Sequence, residues 1–250
     1  MAPIHHAADK ADVDALTALL ASGVSPNARD DYQRTPLHKL FTWSSKNESR
    51  GEDHIACFEI LLNYGADVNA TAQDGATPLN YLTAQGTTGQ WVERFINAGA
   101  DVRMASGTTG KTPLHFAACN GNCDAVRLLI RAGAALDVVN VEGNTPLEHA
   151  IQALFGYNNH RTYPILLRAG ARLPDLEHIS ISNFGLPYLR RVRAAGSFAN
   201  YERLHIEKFT RMLTPKPDSD GRQLGVNPLR RLPTEVIRKI VAFAFHAGFY

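Results

Sequence analysis

Long apolar runs are missing from this sequence. No window approaches the roughly 18 to 20 uninterrupted apolar residues that a membrane-spanning helix needs, and the opening Met-Ala-Pro-Ile-His-His lacks the basic and apolar regions of a signal peptide. Cysteines are also few: Cys57, Cys119 and Cys123 are odd in number, and their spacings suggest no disulfide framework. We therefore expect a soluble, intracellular protein in a reducing compartment, cytoplasmic and with a nuclear location also open.

A strong net charge is absent too, because 26 Lys and Arg residues face 24 Asp and Glu residues, a balance of +2. The charges are unevenly distributed: residues 1–174 carry 14 basic and 17 acidic side chains, whereas residues 175–250 carry 12 and 7. This difference predicts two modules. The arginines at 190–193 lack the charge excess and interleaved aromatic residues typical of nucleic-acid binding. We expect a solvated helix face or a protein contact there and no nucleic-acid partner.

The sequence does contain a repeated unit that begins with Thr-Pro-Leu-His. In its clearest copy, Thr112 can accept a hydrogen bond from a first-turn N–H, and Pro113 suits the first helical position. Gly121 and Gly133 are placed to end two short helices. The unit predicts helix, tight turn, helix and loop, and neither helix can bury its apolar face without a stacked neighbour. The copies begin at Pro3, Thr35-Pro36, Thr77-Pro78, Thr112-Pro113 and Thr145-Pro146, with prolines 33, 42, 35 and 33 residues apart.

These motifs, with exits such as Gly65-Ala-Asp-Val-Asn69, resemble the ankyrin repeat, whose signature is T-P-L-H-x-A at a period of about 33 residues. The resemblance covers residues 1–173 and predicts an all-α ankyrin solenoid followed by a helical C-terminal extension. It implies a non-enzymatic scaffold that binds another protein on its concave surface, with no cofactor. The repeats are placed near 1–34, 35–76, 77–111, 112–144 and 145–173.

Some copies depart from the pattern. The second has about nine extra residues, which we place in a polar loop at 43–53, and the fifth has a smaller insertion around 156–161. In the third copy Asn80 replaces the motif histidine, and in the fifth Glu148 replaces it. We expect those two repeats to be less regular, because the resemblance assigns the histidine to hydrogen bonds between neighbouring turns.

The resemblance also implies which residues contact a partner, since the motif leaves the loop tips free to vary. The predicted partner-binding residues are Arg29, Tyr32, Arg34, Trp43, Thr71, Gln73, Asp74, Thr108, Thr109, Lys111, Glu142 and Asn144. Trp43 lies beside the polar insertion, which favours an exposed aromatic anchor. Trp91 begins a second helix, which favours core packing.

The period stops after residue 173. Residues 174–213 contain a helical pattern over 198–213 that we expect to cap the array. Residues 214–226 have the composition of a linker, and residues 227–250 predict an amphipathic helix. Part of this helix resembles a truncated F-box (PRANC-like) ending, which implies an adaptor that docks a cullin-type ubiquitin ligase through Skp1. The residues concerned are Leu232, Pro233, Val236, Ile237, Ile240 and Val241.

Two alternatives remain for this tail at the level of sequence. The region from Tyr201 to Val241 is faintly similar to a SOCS box, although Lys208 stands where that family has Cys. A plain amphipathic helix packed on the array gives the same pattern. A cap should bury the apolar stripe, whereas a ligase-docking module should expose it.

Catalytic and ligand-binding patterns are weak. The loop that ends in Gly110-Lys111-Thr112 resembles a phosphate-binding loop, but its repeat context favours a hairpin-like tip, so nucleotide binding is a minor alternative. Cys119, Cys123 and His115 have helical spacing for a metal, but Gly121 should interrupt that helix. The pairs at 30–31 and 52–53 read as solvated loop charges. We predict no enzyme activity and no metal site, and we assign the motif histidines to structure.

Overall fold

The computed structural model describes residues 2–42, 51–86, 89–153, 159–175 and 186–213, together with residue 236. The chain divides into two units, Met1–Phe184 and Gly185–Tyr250. Throughout the described ranges the regular secondary structure is helical, without any β-strand. None of the helices within those ranges is both long enough and apolar enough to cross a bilayer. The all-α class predicted from the sequence is confirmed.

The first unit consists of helix pairs at the period of the sequence motif. Its α-helices are α1 Pro3–Lys10, α2 Val13–Ala21, α3 Pro36–Lys39, α4 Glu52–Asn63, α5 Pro78–Ala84, α6 Gly89–Asn97, α7 Pro113–Cys119, α8 Cys123–Arg131, α9 Pro146–Gln152 and α10 Tyr163–Ala169. A 3₁₀ helix at Asn159–Thr162 precedes α10. The first helices α1, α3, α5, α7 and α9 pack on one another in order, and the second helices α6, α8 and α10 pack in a parallel layer. This is the solenoid that the repeat predicted.

Prolines begin the first helix of every repeat because the first helical position needs no backbone N–H. From the second repeat onward, the residue before the proline is a threonine in extended conformation. The side chain three residues after that threonine accepts a hydrogen bond from the threonine N–H. This reciprocal arrangement is a capping box, and it fixes where each first helix starts.

The motif histidine also connects neighbouring repeats. Nε2 of His38 lies 3.1 Å from the carbonyl oxygen of Ala76, and Nε2 of His115 lies 3.0 Å from that of Asn144. Both imidazoles are fully buried. In each ring Nδ1 accepts the threonine N–H, so the neutral tautomer with a proton on Nε2 satisfies both contacts. His5 makes the same cross-repeat contact to Arg34 at 2.9 Å, and the structural role predicted for these histidines is confirmed.

The expectation that Asn80 makes its repeat less regular is wrong, because Asn80 forms the hydrogen bonds of the motif histidine. Its Oδ1 accepts from the Thr77 N–H at 2.8 Å, while Nδ2 donates to the carbonyls of Met104 at 3.2 Å and Lys111 at 3.4 Å. The asparagine amide carries an acceptor and a donor, as the neutral imidazole does. Glu148 reproduces only the capping half, with its Oε2 2.8 Å from the Thr145 nitrogen. A carboxylate has no proton with which to donate onward.

Loop tips connect each repeat to the next. We use this term for the turns at 30–34, 72–76, 106–111 and 140–144, each closed by a hydrogen bond from its first residue to the carbonyl of its last. Adjacent tips are joined through one backbone contact each, such as Gln73 N–H to the Tyr32 carbonyl at 2.9 Å and Thr108 N–H to the Asp74 carbonyl at 3.0 Å. The tips therefore stack in register with the helices behind them.

The insertion in the second repeat differs from its predicted extent. Helix α4 begins at Glu52, so Glu52 and Asp53 form its first turn, where acidic side chains interact favourably with the helix dipole. Residues 43–50 lie outside the described residues. In the fifth repeat, Asn159 is buried in the 3₁₀ helix and donates from Nδ2 to the Ala150 carbonyl at 2.8 Å. That part of the predicted loop is an ordered element of the core.

The second unit contains α11 Leu186–Ala194 and α12 Phe198–Leu213. The predicted helix over 198–213 is formed at those bounds. Leu189 and Val192 of α11 are buried, and the ring of Tyr188 meets that of Tyr201 edge-on at 5.3 Å. The capping role of this segment and the module boundaries at 174, 214 and 227 stay predictions.

Candidate partner-binding groove

A groove of about 540 Å³ lies between the loop tips and the first helices of the second to fourth repeats. Its wall comes from the tips and its floor from α3, α5 and α7. The lining residues are Arg34, Lys39, Thr42, Asp74, Ala76, Asn80, Tyr81, Ala84, Gln85, Ser106, Thr109 and Phe116.

The floor of the groove comes from one position of the repeat. Lys39, Tyr81 and Phe116 each follow the histidine slot, at the variable residue of the T-P-L-H-x-A signature. Tyr81 and Phe116 are only half-buried at this position, whereas Lys39 is buried. These three residues were not among the predicted partner-binding residues, although the variable position in the motif could have identified them.

Arg34 and Lys39, the two described cations of the groove, each form an ion pair with a carboxylate of the chain itself. Arg34 Nη2 lies 2.8 Å from Asp30 Oδ2, and Lys39 Nζ lies 3.6 Å from Asp9 Oδ1. Asp30 is therefore not the solvated loop charge that the sequence suggested: only 5% of its side chain is exposed. Burial alone would raise the pKa of Asp30, but hydrogen bonds from the Arg34 side chain and from backbone N–H groups hold it below its usual value.

Tyr81 links the floor to the tips. Its ring packs edge-on against His38 at 5.4 Å between ring centroids, which joins the second and third repeats. Burial raises the pKa of the Tyr81 hydroxyl, and the negative charge of Asp74, to which it hydrogen-bonds, raises it further. The hydroxyl therefore stays protonated near neutral pH and can donate to Asp74.

The structure divides the predicted partner-binding residues. Arg34, Asp74 and Thr109 line the groove. Five others lie outside it: Tyr32, Gln73 and Thr108 are on the tips, and Arg29 and Thr71 each immediately precede a tip. The Arg29 guanidinium donates to the carbonyl of Gln33 on the first tip and to that of Thr71, just before the second. The Tyr32 ring is 61% exposed and lies under the Arg34 guanidinium, 4.7 Å from ring centroid to Cζ.

At the fourth tip, the prediction that Asn144 contacts a partner is wrong. Asn144 is buried, and its side chain exchanges hydrogen bonds with the Gln152 amide at 2.9 Å. It therefore supports the tip from inside and is not available to a partner. Lys111 and Glu142 also belong to the predicted set and form an ion pair at 3.5 Å, with the Lys111 side chain 17% exposed.

The two tryptophans have separate outcomes. Trp91 is buried, as predicted, and its ring lies 4.9 Å from that of Phe41 and 5.8 Å from that of Phe58, both edge-on. Phe95 completes this aromatic core, with its ring 5.2 Å from Phe41. Trp43 lies outside the described residues.

The phosphate-loop alternative does not fit the geometry. A phosphate site needs backbone N–H groups that converge on the anion. Here the N–H groups of Ser106, Thr108, Gly110, Lys111 and Thr112 all donate to acceptors of the protein itself. The Lys111 ammonium is paired with Glu142. The loop is a tip between two repeats, as its sequence context predicted.

The cysteines behave as packing residues. Helix α7 ends at Cys119 and α8 begins at Cys123, with Gly121 between them at φ +68°. Among the described residues, no group of three or more His, Cys, Asp or Glu side chains could hold a metal ion. Burial raises the pKa of the Cys57 thiol to about 12 and shifts those of Cys119 and Cys123 upward too. Thiols with raised pKa are poor nucleophiles at neutral pH.

The residues predicted to dock a ligase adaptor lie outside the described residues, with one exception. Val236 is helical, and 38% of its surface is exposed.

Comparison with known proteins identifies the repeat. The family described as ankyrin repeats in three copies matches residues 49–140 and 82–175, and that described as ankyrin repeats in many copies matches residues 4–47. The neurogenic locus notch homolog protein 1 of Xenopus tropicalis is 38% identical over 145 residues, which cover 58% of this chain and 5% of that protein. The Homo sapiens protein of the same name is 36% identical over 145 residues, which again cover 58% of this chain and 5% of that protein.

A further relative is the E3 ubiquitin-protein ligase Ufd4 of Drosophila melanogaster, 30% identical over 198 residues, or 78% of this chain and 7% of that protein. The chain thus spans only a small fraction of each of these relatives.

Proposed function

This chain belongs to the ankyrin-repeat proteins, and on that basis we propose that it binds a partner protein in the groove between its loop tips and first helices. Ankyrin repeats are protein–protein interaction modules, and their proteins are generally non-enzymatic. The groove is the surface that we assign to this interaction, and the scaffold role follows from it. No cofactor enters the proposal.

The observation that carries the proposal is the pair of rings on the groove floor. Tyr81 and Phe116 are each only half-buried and line the same groove from neighbouring repeats. The core is filled without them, since Leu82 beside Tyr81 and Ala117 beside Phe116 are already buried. Aromatic side chains in a desolvated concavity are the residues that most often dominate the binding energy of an interface.

Site-specific crosslinking tests the proposal. A photo-reactive phenylalanine analogue placed at 81 or 116 should give adducts with one partner protein in cells. The same analogue at Tyr64, an exposed aromatic position at the end of α4, is the matched control. Adducts that form only from position 64 would remove the groove from consideration.

A double variant, Tyr81→Ala with Phe116→Ala, tests the same partner by a second route. It should lose co-purification of the crosslinked protein while its circular dichroism keeps the helical signal of the wild type. A partner retained at the wild-type level by this folded variant counts against the proposal.

A second candidate function concerns the tail. The segment from Leu232 to Val241 is similar to an F-box helix, and the helical, partly exposed Val236 is compatible with docking. In this role the chain is a substrate-recognition adaptor of a cullin-type ubiquitin ligase, with the groove as its substrate site. The double substitution Ile237→Asp with Val241→Asp should abolish capture of Skp1.

The matched control for that capture is Arg238→Asp with Lys239→Asp, which the amphipathic pattern places on the opposite face. Capture of elongin in place of Skp1 would assign the tail to the SOCS-box alternative. Capture of neither adaptor by the wild type removes the ligase role and leaves the groove proposal intact. We also propose an intracellular, cytoplasmic location, supported by the odd number of free cysteines.

A further inference from the structure

We propose that the groove accepts a partner segment that places a lysine or arginine side chain against Asp74, an inference that rests on the function proposed above. Among the described residues that line the groove, three carry a charge: Arg34, Lys39 and Asp74. Whether each of these charges is already compensated decides the sign of the partner.

The two cations are compensated within the chain. Asp30 binds Arg34 through both Nε, at 2.9 Å, and Nη2, at 2.8 Å. The pair of Lys39 with Asp9 is almost buried, with 9% and 12% of the two side chains exposed. An anionic partner would have to draw these cations from carboxylates that would then be left largely buried without a counter-charge, which is costly.

Asp74 is different. Its Oδ1 accepts the backbone N–H of Ala76 at 3.0 Å, and the Tyr81 hydroxyl hydrogen-bonds to the same carboxylate. In the part of the chain that the structure describes, no basic side chain forms an ion pair with it. The uncompensated charge of the groove is therefore negative, half-buried, and fixed in position by two donors.

The surroundings of Asp74 suit a long basic side chain. Tyr81 and Phe116 present rings to the same groove. The methylene stem of lysine or arginine can pack on such rings while its charged end reaches the carboxylate, and the ring faces attract the cation as well. A short or purely apolar partner side chain would leave the carboxylate desolvated without a counter-charge.

The experiment is a selection from a random peptide library displayed on phage. The full chain is the bait, and the selection is repeated with Asp74→Asn. Asparagine still accepts the Ala76 N–H, so the substitution removes the charge with little change in shape. Asp31→Asn is the matched control, because Asp31 is an exposed tip carboxylate outside the groove.

We expect wild-type selections to enrich lysine or arginine at one peptide position. For a synthetic peptide from that pool, Asp74→Asn should raise Kd about tenfold, and Asp31→Asn should change it less than about twofold. Replacing the basic residue of the peptide by methionine should cost the same factor, with no further loss on Asp74→Asn, because both changes remove one contact.

Two results would overturn this inference and leave the proposed function standing. One is a set of groove-bound peptides, sensitive to Tyr81→Ala, whose affinity Asp74→Asn does not alter. The other is enrichment of acidic peptides that depend on Arg34 or Lys39. Failure to select any peptide, or peptides insensitive to both Tyr81→Ala and Phe116→Ala, would count against the groove itself and so against both proposals.

Discussion

Nε2 of His115 donates to the backbone carbonyl of Asn144, 3.0 Å away, and this bond ties one repeat to the next. The same ring accepts the Thr112 N–H at Nδ1, 3.1 Å away, so one side chain caps its own helix and holds the following tip. Asn80 performs both tasks one repeat earlier with its amide. The motif residue is therefore required for the donor and acceptor that it places, rather than for the imidazole itself.

This relationship predicts losses of stability of different size for two substitutions of His115. His115→Ala leaves the Thr112 N–H and the Asn144 carbonyl without their partner in a buried site, which should lower the free energy of unfolding by about 2 to 4 kcal/mol. His115→Asn should cost about 1 kcal/mol, because the amide can replace both bonds, as at Asn80. Urea unfolding measures both. Equal losses in the two variants would show that ring volume matters more than hydrogen bonding.

Acid should weaken the array through the buried histidines. Burial lowers the pKa of His38 and of His115 from 6.5 to about 4 in the folded chain, against the opposing effect of their carbonyl partners. Between pH 6.5 and 4 the unfolded chain therefore binds more protons, so stability is complete above pH 6.5 and falls as the pH decreases through this window. The slope is at most about 1.4 kcal/mol per pH unit for each histidine.

Unfolding curves recorded at pH 7.5, 6 and 5 measure this slope. His115→Asn is the internal comparison, since it removes one titrating ring and should give a shallower dependence than the wild type. The carboxylates titrate alike in both proteins, so they cancel in the difference. Parallel pH dependences would assign the acid sensitivity to other groups.

The first repeat lacks half of its cap, and this predicts a stabilising substitution. His5 is fully buried and contacts the Arg34 carbonyl at 2.9 Å, but among the described residues its Nδ1 has no hydrogen-bond partner. Ala2 occupies the place of the capping threonine, with φ −63° and ψ 148° close to the threonine conformation elsewhere. Ala2→Thr should add about 0.5 to 1.5 kcal/mol to the free energy of unfolding.

The control for this substitution is Ala2→Val, which matches threonine in shape but has no hydroxyl. Thermal or urea unfolding should show the gain for threonine alone. A similar gain for valine would attribute the effect to apolar contacts at position 2.

Much of the fold could be predicted from the sequence because the repeat encodes it locally. Threonine and proline mark the helix starts, and the observed first helices begin at those prolines. The prediction for Asn80 was wrong because it compared residue names, whereas the tertiary structure selects for donor and acceptor positions. Asp30 illustrates the same limit: its burial depends on how Arg34 folds back over it, which the spacing alone does not indicate.

The candidate site was predicted less completely than the fold. Variation at the tips identified Arg34, Asp74 and Thr109, but the groove floor was missed because its residues stand inside a motif treated as scaffold. The prediction that Asn144 contacts a partner was wrong because a residue at a tip was assumed to be exposed. Exposure at a tip depends on the next helix, here on Gln152 of α9, and such a contact follows only from the stacked structure.

The second tip provides the last prediction. Gly75 has φ +73°, and a Cβ there would lie 2.5 Å from the backbone nitrogen of Gly107 and 2.7 Å from its Cα. Gly65 has a similar φ of +86° with nothing within 4 Å. Alanine at either position meets the left-handed penalty of about 1 kcal/mol, but only Gly75→Ala also forces two tips apart. We expect Gly75→Ala to lower the free energy of unfolding by about 1 to 3 kcal/mol more than Gly65→Ala.

The same pair of variants tests the groove. Because the backbone carbonyl of Asp74 accepts the Thr108 N–H across this junction, only Gly75→Ala should lower the affinity of peptides selected on the groove. Equal unfolding free energies for the two variants would show that the two tips can move apart at no cost in stability. The close approach of Gly75 to Gly107 would then not be needed to hold Asp74 in place.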